Sequence, residues 1–319
     1  MLDLVLQLIC LGLIVVAAAL IFIIVTAKKG APDIMRFESE KYFSDENGAK
    51  KPFPSLFDQP TVKLSVIVPA YNEEERLPVM MEETLEFLEA KLDKNSTDTY
   101  EIIIVDDGSK DTTSKVALGY TQKLGSDKCR VLTLAKNRGK GGAVRLGMFS
   151  ACGEYLLMVD ADGATQFSDL DKVAASLKTL AADATVPGIA VGSRAHLEED
   201  SIANRSLFRT ILMKGFHFIV WILCVRSVHD SQCGFKLLTR SAAQKTFPNL
   251  HVERWAFDVE LLFIAEKFNI PIAEVAVKWE EIEGSKIVPV LSWLQMGRDI
   301  LLIWLHYFLG LWTISVKTE

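Results

Sequence analysis

The chain has 319 residues, half of them hydrophobic, so it is long enough to bury a large core. Its formal net charge of -6 gives no global attraction to a polyanion, which excludes nucleic acid as a partner held by overall charge. The five cysteines include no C-x-x-C pair, so the sequence predicts reduced thiols and no zinc site.

A long apolar run opens the chain. Residues 4–27 contain no charged side chain, and a helix of that length would measure roughly 36 Å, enough to cross a bilayer. Lys28 and Lys29 follow at once, and the positive-inside rule places the rest of the chain in the cytosol. We predict a signal anchor over residues 1–29 rather than a cleaved signal peptide, since no basic cluster precedes the run. A Pro-bearing stretch without periodicity predicts a linker over residues 30–60.

Short apolar β-rich runs alternate with helical patterns after the linker. The predicted elements, in chain order, are 64–69, 74–92, 101–105, 112–124, 130–134, 142–151, 155–159 and 170–181. This alternation predicts an α/β, doubly wound and largely parallel sheet, covered by helices on both faces. We expect one catalytic domain over residues 61–285, with ligands bound beyond the carboxyl ends of the strands.

Two late apolar stretches, 206–226 and 290–312, carry scattered charged and histidine side chains. Neither offers a clean bilayer-length run, which favours amphipathic helices lying in the membrane interface, the last of them over residues 286–319. The predicted aromatic anchors are Trp221, Trp293, Trp304, Tyr307 and Trp312. A buried pair of helices, or a second spanning helix formed by the last stretch, stays open as an interpretation of the same pattern.

Polar side chains follow three of the predicted strands. Residues 69–74 read Pro-Ala-Tyr-Asn-Glu-Glu, which suits stacking on and hydrogen bonding to a planar base, and Asp106 and Asp107 lie on the turn after the next strand. In extended geometry residues two apart project to the same side, so Asp160 and Asp162 present two carboxylates to one point. Converging carboxylates are costly unless a cation lies between them, and the motif therefore predicts a Mg²⁺ or Mn²⁺ site.

A glycine-rich basic stretch, residues 135–145, opens a predicted helix between these motifs. A helix N-terminus and closely approaching glycine backbone favour anions, so Lys140 and Arg145 are predicted to meet a diphosphate. A solvated basic turn is the other interpretation. The stretch is neither a Walker A loop nor a Rossmann fingerprint, which disfavours a kinase or a dehydrogenase.

In combination these motifs resemble the family 2 glycosyltransferases, within their polyprenyl-phosphate branch. The resemblance covers residues 60–312 and extends to the stretches 191–194, 230–236 and 254–260. It implies a GT-A type nucleotide-diphospho-sugar transferase fold and an inverting transfer of glucose from UDP-glucose to dolichyl phosphate. It further implies an endoplasmic reticulum membrane protein that spans the bilayer once, with a cytosolic catalytic domain.

The motifs and the resemblance together assign roles to single residues. Those expected to bind the nucleotide donor are Pro69, Tyr71, Glu73, Asp106, Asp107, Lys140, Arg145 and Asp160. Those expected to act in catalysis are Asp160, Asp162, Arg194, Lys236 and Asp258. Asp160 and Asp162 would hold the metal, and the resemblance implies that Arg194 and Lys236 meet the donor or acceptor phosphates. Those expected on the acceptor side are Arg205, Arg209, Lys214, Ser285, Lys286 and Arg298. Snorkelling to lipid headgroups is the other interpretation of the basic acceptor-side residues, and helix capping is the other interpretation of Asp258.

One position departs from the related mannosyltransferases, which place a glutamine ligand two residues after the second aspartate. Ala164 stands there in this chain, and we expect a water molecule to complete the metal shell instead. The alternatives are a mannosyltransferase that uses GDP-mannose and a noncatalytic membrane scaffold that binds a sugar nucleotide. A processive polysaccharide synthase is disfavoured because the chain lacks a Q-x-x-R-W motif.

Overall fold

The computed structural model describes residues 35–94, 97–197, 220–282 and 291–315, together with positions 7, 10, 12, 14, 18, 21 and 215; side chains are described within the last segment from residue 295. The predicted anchor over 1–29 lies almost wholly outside the described residues. So do five of the acceptor-side candidates, which are Arg205, Arg209, Lys214, Ser285 and Lys286. No helix within these described ranges has both the length and the apolar character needed to cross a bilayer.

Nine strands form two sheets in the described part of the chain. Strands β1 to β9 are Tyr42–Ser44, Lys50–Pro52, Val62–Ala70, Tyr100–Asp106, Cys129–Thr133, Gly153–Val159, Ile189–Ser193, Phe235–Thr239 and Ile272–Ala276. β1 and β2 form an antiparallel pair, and the other strands form one sheet in the order β5-β4-β3-β6-β8-β7-β9. Within that sheet β8 runs antiparallel to β6 and β7, and the other pairings are parallel. The prediction of a largely parallel sheet is confirmed, and the reversal of β8 makes the sheet mixed.

Helices cover both faces of the larger sheet. Helices α1 to α7 are Arg76–Lys94, Thr113–Leu124, Lys140–Phe149, Leu170–Leu180, Arg240–Thr246, Phe257–Lys267 and Leu291–Phe308. α1, α2 and α4 contribute to the hydrophobic cluster on one face, whereas α3, α5, α6 and α7 contribute to the cluster on the other. Each of the eight elements predicted between residues 64 and 181 is present, so the doubly covered α/β architecture is confirmed.

The central strand β3 explains why the chain folds around this sheet. Val66, Ile67 and Val68 are fully buried, and β-branched side chains of this kind suit a strand that is packed on both faces. α3 crosses β3 so closely that a Cβ atom on Gly147 would lie 2.6 Å from Cγ2 of Ile67. The helix therefore needs glycine at residue 147 to lie directly against the sheet.

The linker prediction is corrected for residues 35–60. Phe43 is buried on β1, Leu56 is fully buried in the core, and β1 pairs with β2. Arg240 on α5 donates hydrogen bonds to the carbonyl oxygens of Ser55 and Asp58, at 2.9 and 2.8 Å. Residues that bury side chains in the core and accept such hydrogen bonds belong to the domain, and the predicted boundary at residue 60 is too late.

One face of α7 packs on the domain. Ile300 and Ile303 are fully buried, while Leu301 is 50% and Phe308 70% exposed. Helix α7 is thus amphipathic, as predicted for the end of the chain.

Three of the predicted aromatic anchors contact the domain. Trp304, Tyr307 and Trp312 pack against the buried core, and the ring of Trp312 is stacked on His251 with centroids 4.0 Å apart. These rings are partly buried and have aromatic partners within the domain, and their membrane role stays a prediction. Trp221 is 52% exposed, and the side chain of Trp293 lies outside the described part of the molecule.

Candidate active site

The reversal of β8 brings the predicted motifs to one edge of the sheet. β3, β4, β6 and β7 end at this edge, and β8 begins there because it runs the other way, with Phe235 opposite Val159. The loops after β3 and β4, the aspartates after β6, Arg194 after β7 and the start of β8 are therefore neighbours. This is the edge at which ligands bind in open α/β sheets.

Asp160 and Lys140 form an ion pair at this edge. The Nζ atom of Lys140 lies 2.6 Å from Oδ1 of Asp160, and the two side chains are 14% and 34% exposed. Burial alone would lower the pKa of Lys140, but the charges of Asp160 and Asp258 outweigh it and raise the pKa above its ordinary value. Lys140 is therefore a fixed cation beside three aspartates, since Asp162 acts on it in the same sense.

Asp162 is electrostatically coupled to Asp160. Burial and then the negative charge of Asp160 raise the pKa of Asp162, against the opposing effect of Arg76 and Lys140. One oxygen of the Asp162 carboxylate accepts a hydrogen bond from the backbone N–H of Ala164 at 3.0 Å. The charge of Asp160 thus acts on Asp162 at this edge, and the shared cation that the motif predicts stays a prediction.

Gly234 makes room for the carboxylate of Asp160. A Cβ atom at residue 234 would lie 2.0 Å from Oδ2 and 2.2 Å from Cγ of Asp160, distances that no nonbonded contact tolerates. No role was predicted for Gly234 from the sequence. Gly234 lies directly before β8, and its contact with Asp160 can be inferred only once β8 is known to pair with β6 in the reverse direction.

Lys236 and Asp258 form a buried ion pair behind the edge. The Nζ atom of Lys236 lies 2.6 Å from Oδ1 of Asp258 and also donates to the carbonyl oxygen of Cys233 at 2.7 Å. Lys236 is fully buried and Asp258 nearly so, at the start of α6. The predicted contact of Lys236 with a phosphate is corrected, because its ammonium group is enclosed and already paired. Lys236 instead holds Asp258, whose charge is felt by Lys140.

Arg194 follows β7 and is held by Asp230. Its Nε and Nη2 atoms donate to the two carboxylate oxygens at 2.7 and 2.8 Å, and its backbone N–H donates to Asp230 at 2.9 Å. The guanidinium group lies over the ring of Trp279, 5.3 Å from its centroid. Burial would raise the pKa of Asp230, but Arg194 outweighs it and holds that pKa below its usual range. Arg194 keeps 31% of its side chain exposed, so it is an oriented cation at the edge.

The loops after β3 and β4 are bonded to each other. The backbone N–H of Asn72 donates to Oγ of Ser109 at 2.9 Å, and the N–H of Glu73 donates to Oγ1 of Thr113 at 2.7 Å. Asn72 adopts a positive φ of 53°, a conformation that asparagine tolerates better than most residues. The two loops form one wall, with Pro69 at the end of β3 and Tyr71 half-buried above it.

The carboxylates of this wall have partners within the chain. Glu73 receives two hydrogen bonds of 2.7 Å from Arg76. Asp106 accepts from the N–H of Ser109 at 2.9 Å and from the hydroxyl of Ser114. These contacts shape the loops, and the nucleotide contacts expected of Glu73 and Asp106 stay predictions.

Asp107 fastens the basic stretch before α3. Its two oxygens accept from the N–H groups of Arg138 and Gly139, at 2.6 and 2.8 Å. Burial raises the pKa of Asp107 to about 6, although both hydrogen bonds oppose the shift. The residue therefore positions the loop that carries Lys140, and its contact with uridine stays a prediction.

The diphosphate contact predicted for Arg145 is corrected. Its buried guanidinium group donates to the carbonyl oxygens of Phe247 and Pro248, at 3.1 and 3.4 Å. Five helical positions separate it from Lys140, a rotation of about 140° around the axis of α3. Arg145 therefore lies on the side of α3 that packs on the domain and fastens the helix there.

Arg298 on α7 is 67% exposed and is paired with its neighbour Asp299. Its acceptor-side role stays a prediction. Within the described residues, no group of three or more histidine, cysteine, aspartate or glutamate side chains could hold a metal by itself. Any cation at Asp160 and Asp162 would thus take further ligands from elsewhere.

A family profile decides the classification. The family described as Glycosyl transferase family 2 matches residues 65–247, more than half of the chain. The chain belongs to this family. Its members with curated names include a Homo sapiens dolichyl-phosphate beta-glucosyltransferase, 59% identical over 99% of this chain and 98% of that protein. The Saccharomyces cerevisiae protein of the same name is 39% identical over 88% and 87% of the two chains.

Solved structures of low sequence identity share the fold. Mannosyl-3-phosphoglycerate synthase from Rubrobacter xylanophilus superposes with a TM-score of 0.52 at 14% identity, covering 81% of this chain and 78% of that one. Glucosyl-3-phosphoglycerate synthase from M. tuberculosis gives a TM-score of 0.50 at 16% identity, with 81% and 83% covered. The GT-A type fold implied by the resemblance is therefore confirmed for this member of the family.

Proposed function

We propose that this chain is a dolichyl-phosphate β-glucosyltransferase, which transfers glucose from UDP-glucose to dolichyl phosphate. The product would be dolichyl β-D-glucosyl phosphate, which serves protein N-glycosylation. The observation that carries the proposal is near full-length similarity, since the human protein of that name is 59% identical over 99% of this chain. The cations Lys140 and Arg194 at the sheet edge support it, because the reaction brings an anionic donor and an anionic acceptor together.

Asp160 and Asp162 would hold a divalent cation, either Mg²⁺ or Mn²⁺. Both offer hard oxygen donors, and the coupling that raises the pKa of Asp162 fits two carboxylates arranged around a shared cation. Water and diphosphate oxygens would supply the remaining ligands, and Ala164 agrees with this because it offers no side-chain donor. When bound, the cation would neutralise part of the charge on the departing nucleoside diphosphate.

The acceptor needs no strong general base. A phosphate monoester has a second pKa of about 6, so its oxygen is already anionic at cytosolic pH. This oxygen forms a bond to C1 of glucose while the bond from C1 to the diphosphate breaks, and the configuration at C1 inverts. Lys140 and Arg194 would hold the phosphates in line for this displacement, and Asp258, fixed by Lys236, would orient the sugar or the acceptor.

We place the protein in the endoplasmic reticulum membrane, anchored once by residues 1–29, with its catalytic domain in the cytosol. The uncharged run over residues 4–27 and the two lysines after it support this arrangement. The exposed Leu301 and Phe308 on α7 support a second, interfacial contact beside the bilayer. Such a contact would bring the headgroup of a lipid acceptor to the edge of the sheet.

A donor competition assay tests the proposed reaction. Detergent-purified protein would be incubated with dolichyl phosphate, Mn²⁺ and either radiolabelled UDP-glucose or radiolabelled GDP-mannose, and the lipid fraction counted. We expect label from UDP-glucose, loss of product with a chelator, and recovery when Mn²⁺ or Mg²⁺ is restored. Asp162→Asn would serve as the control for the metal site, since it replaces one of the two carboxylates by a neutral amide, and we expect little transfer at the Mn²⁺ concentration that suffices for wild type.

Three outcomes would overturn the proposal. Label incorporated from GDP-mannose alone would identify a mannosyltransferase. Full turnover after chelation or in Asp162→Asn would exclude the metal-centred site. Tight binding of UDP-glucose without any transfer would identify a noncatalytic scaffold.

A further inference from the structure

Residues 36–40, at the start of the described domain, contact both ends of α3. At the far end, Arg36 donates to the carbonyl oxygen of Leu146 and to Oγ of Ser150, at 3.0 and 2.7 Å. At the near end, Glu40 contacts the residues that lead into the helix. We call residues 135–139 the basic loop; Lys140, which pairs with Asp160, is the next residue.

Glu40 is a fully buried carboxylate with three donors. Its Oε1 atom accepts from the N–H of Ala135 at 2.9 Å, and its Oε2 atom accepts from the N–H of Phe37 at 3.0 Å. Nη2 of Arg138 lies 3.1 Å from the same Oε2 atom and completes a buried ion pair. A buried charge is tolerated only when its partners are well placed, so Glu40 and the basic loop constrain each other closely.

The basic loop is thus held from two sides. On one side Asp107 binds the backbone N–H groups of Arg138 and Gly139. On the other side Glu40 binds the backbone of Ala135 and the side chain of Arg138. Together the two carboxylates hold the loop at its beginning and at its end.

An aromatic ring covers the outer side of the loop. The ring of Phe37 has Nζ of Lys136 at 5.6 Å and the guanidinium carbon of Arg138 at 5.7 Å from its centroid. Arg138 also donates to the carbonyl oxygen of Met35. The segment therefore neutralises or covers both cationic side chains of the basic loop, while the ammonium group of Lys140 points to Asp160.

We propose that Glu40 is a positioning residue for glycosyl transfer, which holds the basic loop so that Lys140 faces Asp160 and the donor diphosphate. This inference rests on the proposed function only in assuming that the edge site binds a sugar nucleotide. Its consequence is that a residue in the stretch leading from the predicted anchor governs donor binding, although it touches no substrate.

Glu40→Gln tests the inference, with Glu101→Gln as the matched control. Glu101 is also fully buried, pairs with Arg130 at 2.7 Å and accepts from Ser65 and the backbone of Cys152, but it has no contact with the basic loop. Both variants lose one buried charge. Thermal unfolding would report the stability that each of them loses.

Three further measurements separate positioning from stability. We expect the Kd of UDP-glucose with Mn²⁺, and the KM for UDP-glucose, to rise about tenfold in Glu40→Gln, the effect of losing one charged hydrogen bond. Hydrogen exchange of the peptide covering residues 135–140 should accelerate about tenfold as its local opening becomes easier, with β3 unchanged. Glu101→Gln should leave the Kd and this peptide at their wild-type values.

A second variant keeps the inference testable if Glu40→Gln does not fold. Arg138→Gln removes the same ion pair from the loop side and keeps both backbone bonds to Asp107, and we expect the same rise in Kd. Equal values of Kd and exchange rate in wild type and in the loop variants would overturn the inference.

Failure of the proposed reaction is distinguishable from failure of the inference. Wild type that binds UDP-glucose without transferring it refutes the proposed reaction and leaves the Kd comparison valid. If wild type binds GDP-mannose instead, that nucleotide replaces UDP-glucose in the comparison, and if it binds neither, the inference falls as well.

Discussion

Replacing Gly234 by alanine would displace the carboxylate of Asp160 while leaving the core intact. The added Cβ atom would lie 2.0 Å from Oδ2 and 2.2 Å from Cγ of Asp160. Nonbonded carbon contacts are favourable only near 3.5 to 4.0 Å, so the carboxylate must retreat by more than about 1 Å. The backbone on both sides is fixed by the pairing of Val159 with Phe235, and rotation of the Asp160 side chain is the relief left. That rotation moves Oδ1 away from Lys140.

The cost of this displacement falls on catalysis. A reacting group misplaced by about 1 Å loses on the order of 100-fold in rate, which corresponds to about 2.7 kcal/mol in the activation free energy. The loss of folding stability should stay within about 1 kcal/mol, because a partly exposed ion pair contributes little. Asp160 keeps 34% of its side chain exposed and can exchange Lys140 for water.

Transfer of radiolabelled glucose to dolichyl phosphate, measured as kcat/KM beside thermal unfolding, would check this expectation. Gly119→Ala is the matched control, since a Cβ atom at this position on α2 would meet no other atom within 4 Å. It should keep full activity and gain up to about 1 kcal/mol of helix stability. If Gly234→Ala keeps its activity within about threefold of wild type, less than about 1 kcal/mol of barrier, the role assigned to Asp160 is refuted.

Three other changes give distinct signatures. Lys236→Met leaves Asp258 buried and unpaired, so urea denaturation should show that the free energy of unfolding falls by about 3–5 kcal/mol. The double variant with Asp258→Leu should recover most of this loss, and a loss that is not recovered would contradict the pairing. Because the pKa of Asp107 is raised in the folded state, wild type should lose stability relative to Asp107→Asn as the pH rises from about 4 to 7. The expected loss in the free energy of unfolding is on the order of 2 kcal/mol, measured by thermal or denaturant unfolding. A parallel pH dependence of the two proteins would contradict the raised pKa. Asp162→Asn should raise the Mn²⁺ concentration for half-maximal transfer by at least about 100-fold. Residues that only orient a metal ligand already change metal affinity by about 10–100-fold, and a ligand itself should matter at least as much. An unchanged Mn²⁺ titration would exclude Asp162 as a ligand.

Local pattern was sufficient to predict the first half of the domain. The runs that became β3, β4, β5 and β6 are apolar on both faces and are separated by helical patterns, so period and length identified them. The family prediction, made from the motifs that follow these strands, is confirmed by the family profile that matches residues 65–247. The reversed direction of β8 could not be read from its five residues, since a short buried strand has the same pattern in either direction.

Side-chain partners were the part that the sequence could not supply. Glu40 lay in a stretch without periodicity, and its burial depends on Arg138, which is 98 positions away. The phosphate contact of Lys236 was implied by the family resemblance, and Arg145 was predicted to meet a diphosphate because it follows a glycine-rich helix start. Their actual partners, Asp258 and the carbonyl oxygen of Phe247, come from segments that meet them only in the folded sheet.

The direction of β8 also affects how far the chain between β7 and β8 can vary in length. β7 leaves the sheet at Ser193 and β8 re-enters it at Phe235, and since the two strands are antiparallel neighbours, departure and return occur side by side. The connection between the two strands starts and ends at neighbouring points of the sheet, so its length can change without altering the pairing of β7 with β8. Insertions or deletions between residues 198 and 219 would leave Arg194, Asp230 and Gly234 at the two ends of the connection beside Asp160, whereas exchange of the whole connection would remove all three.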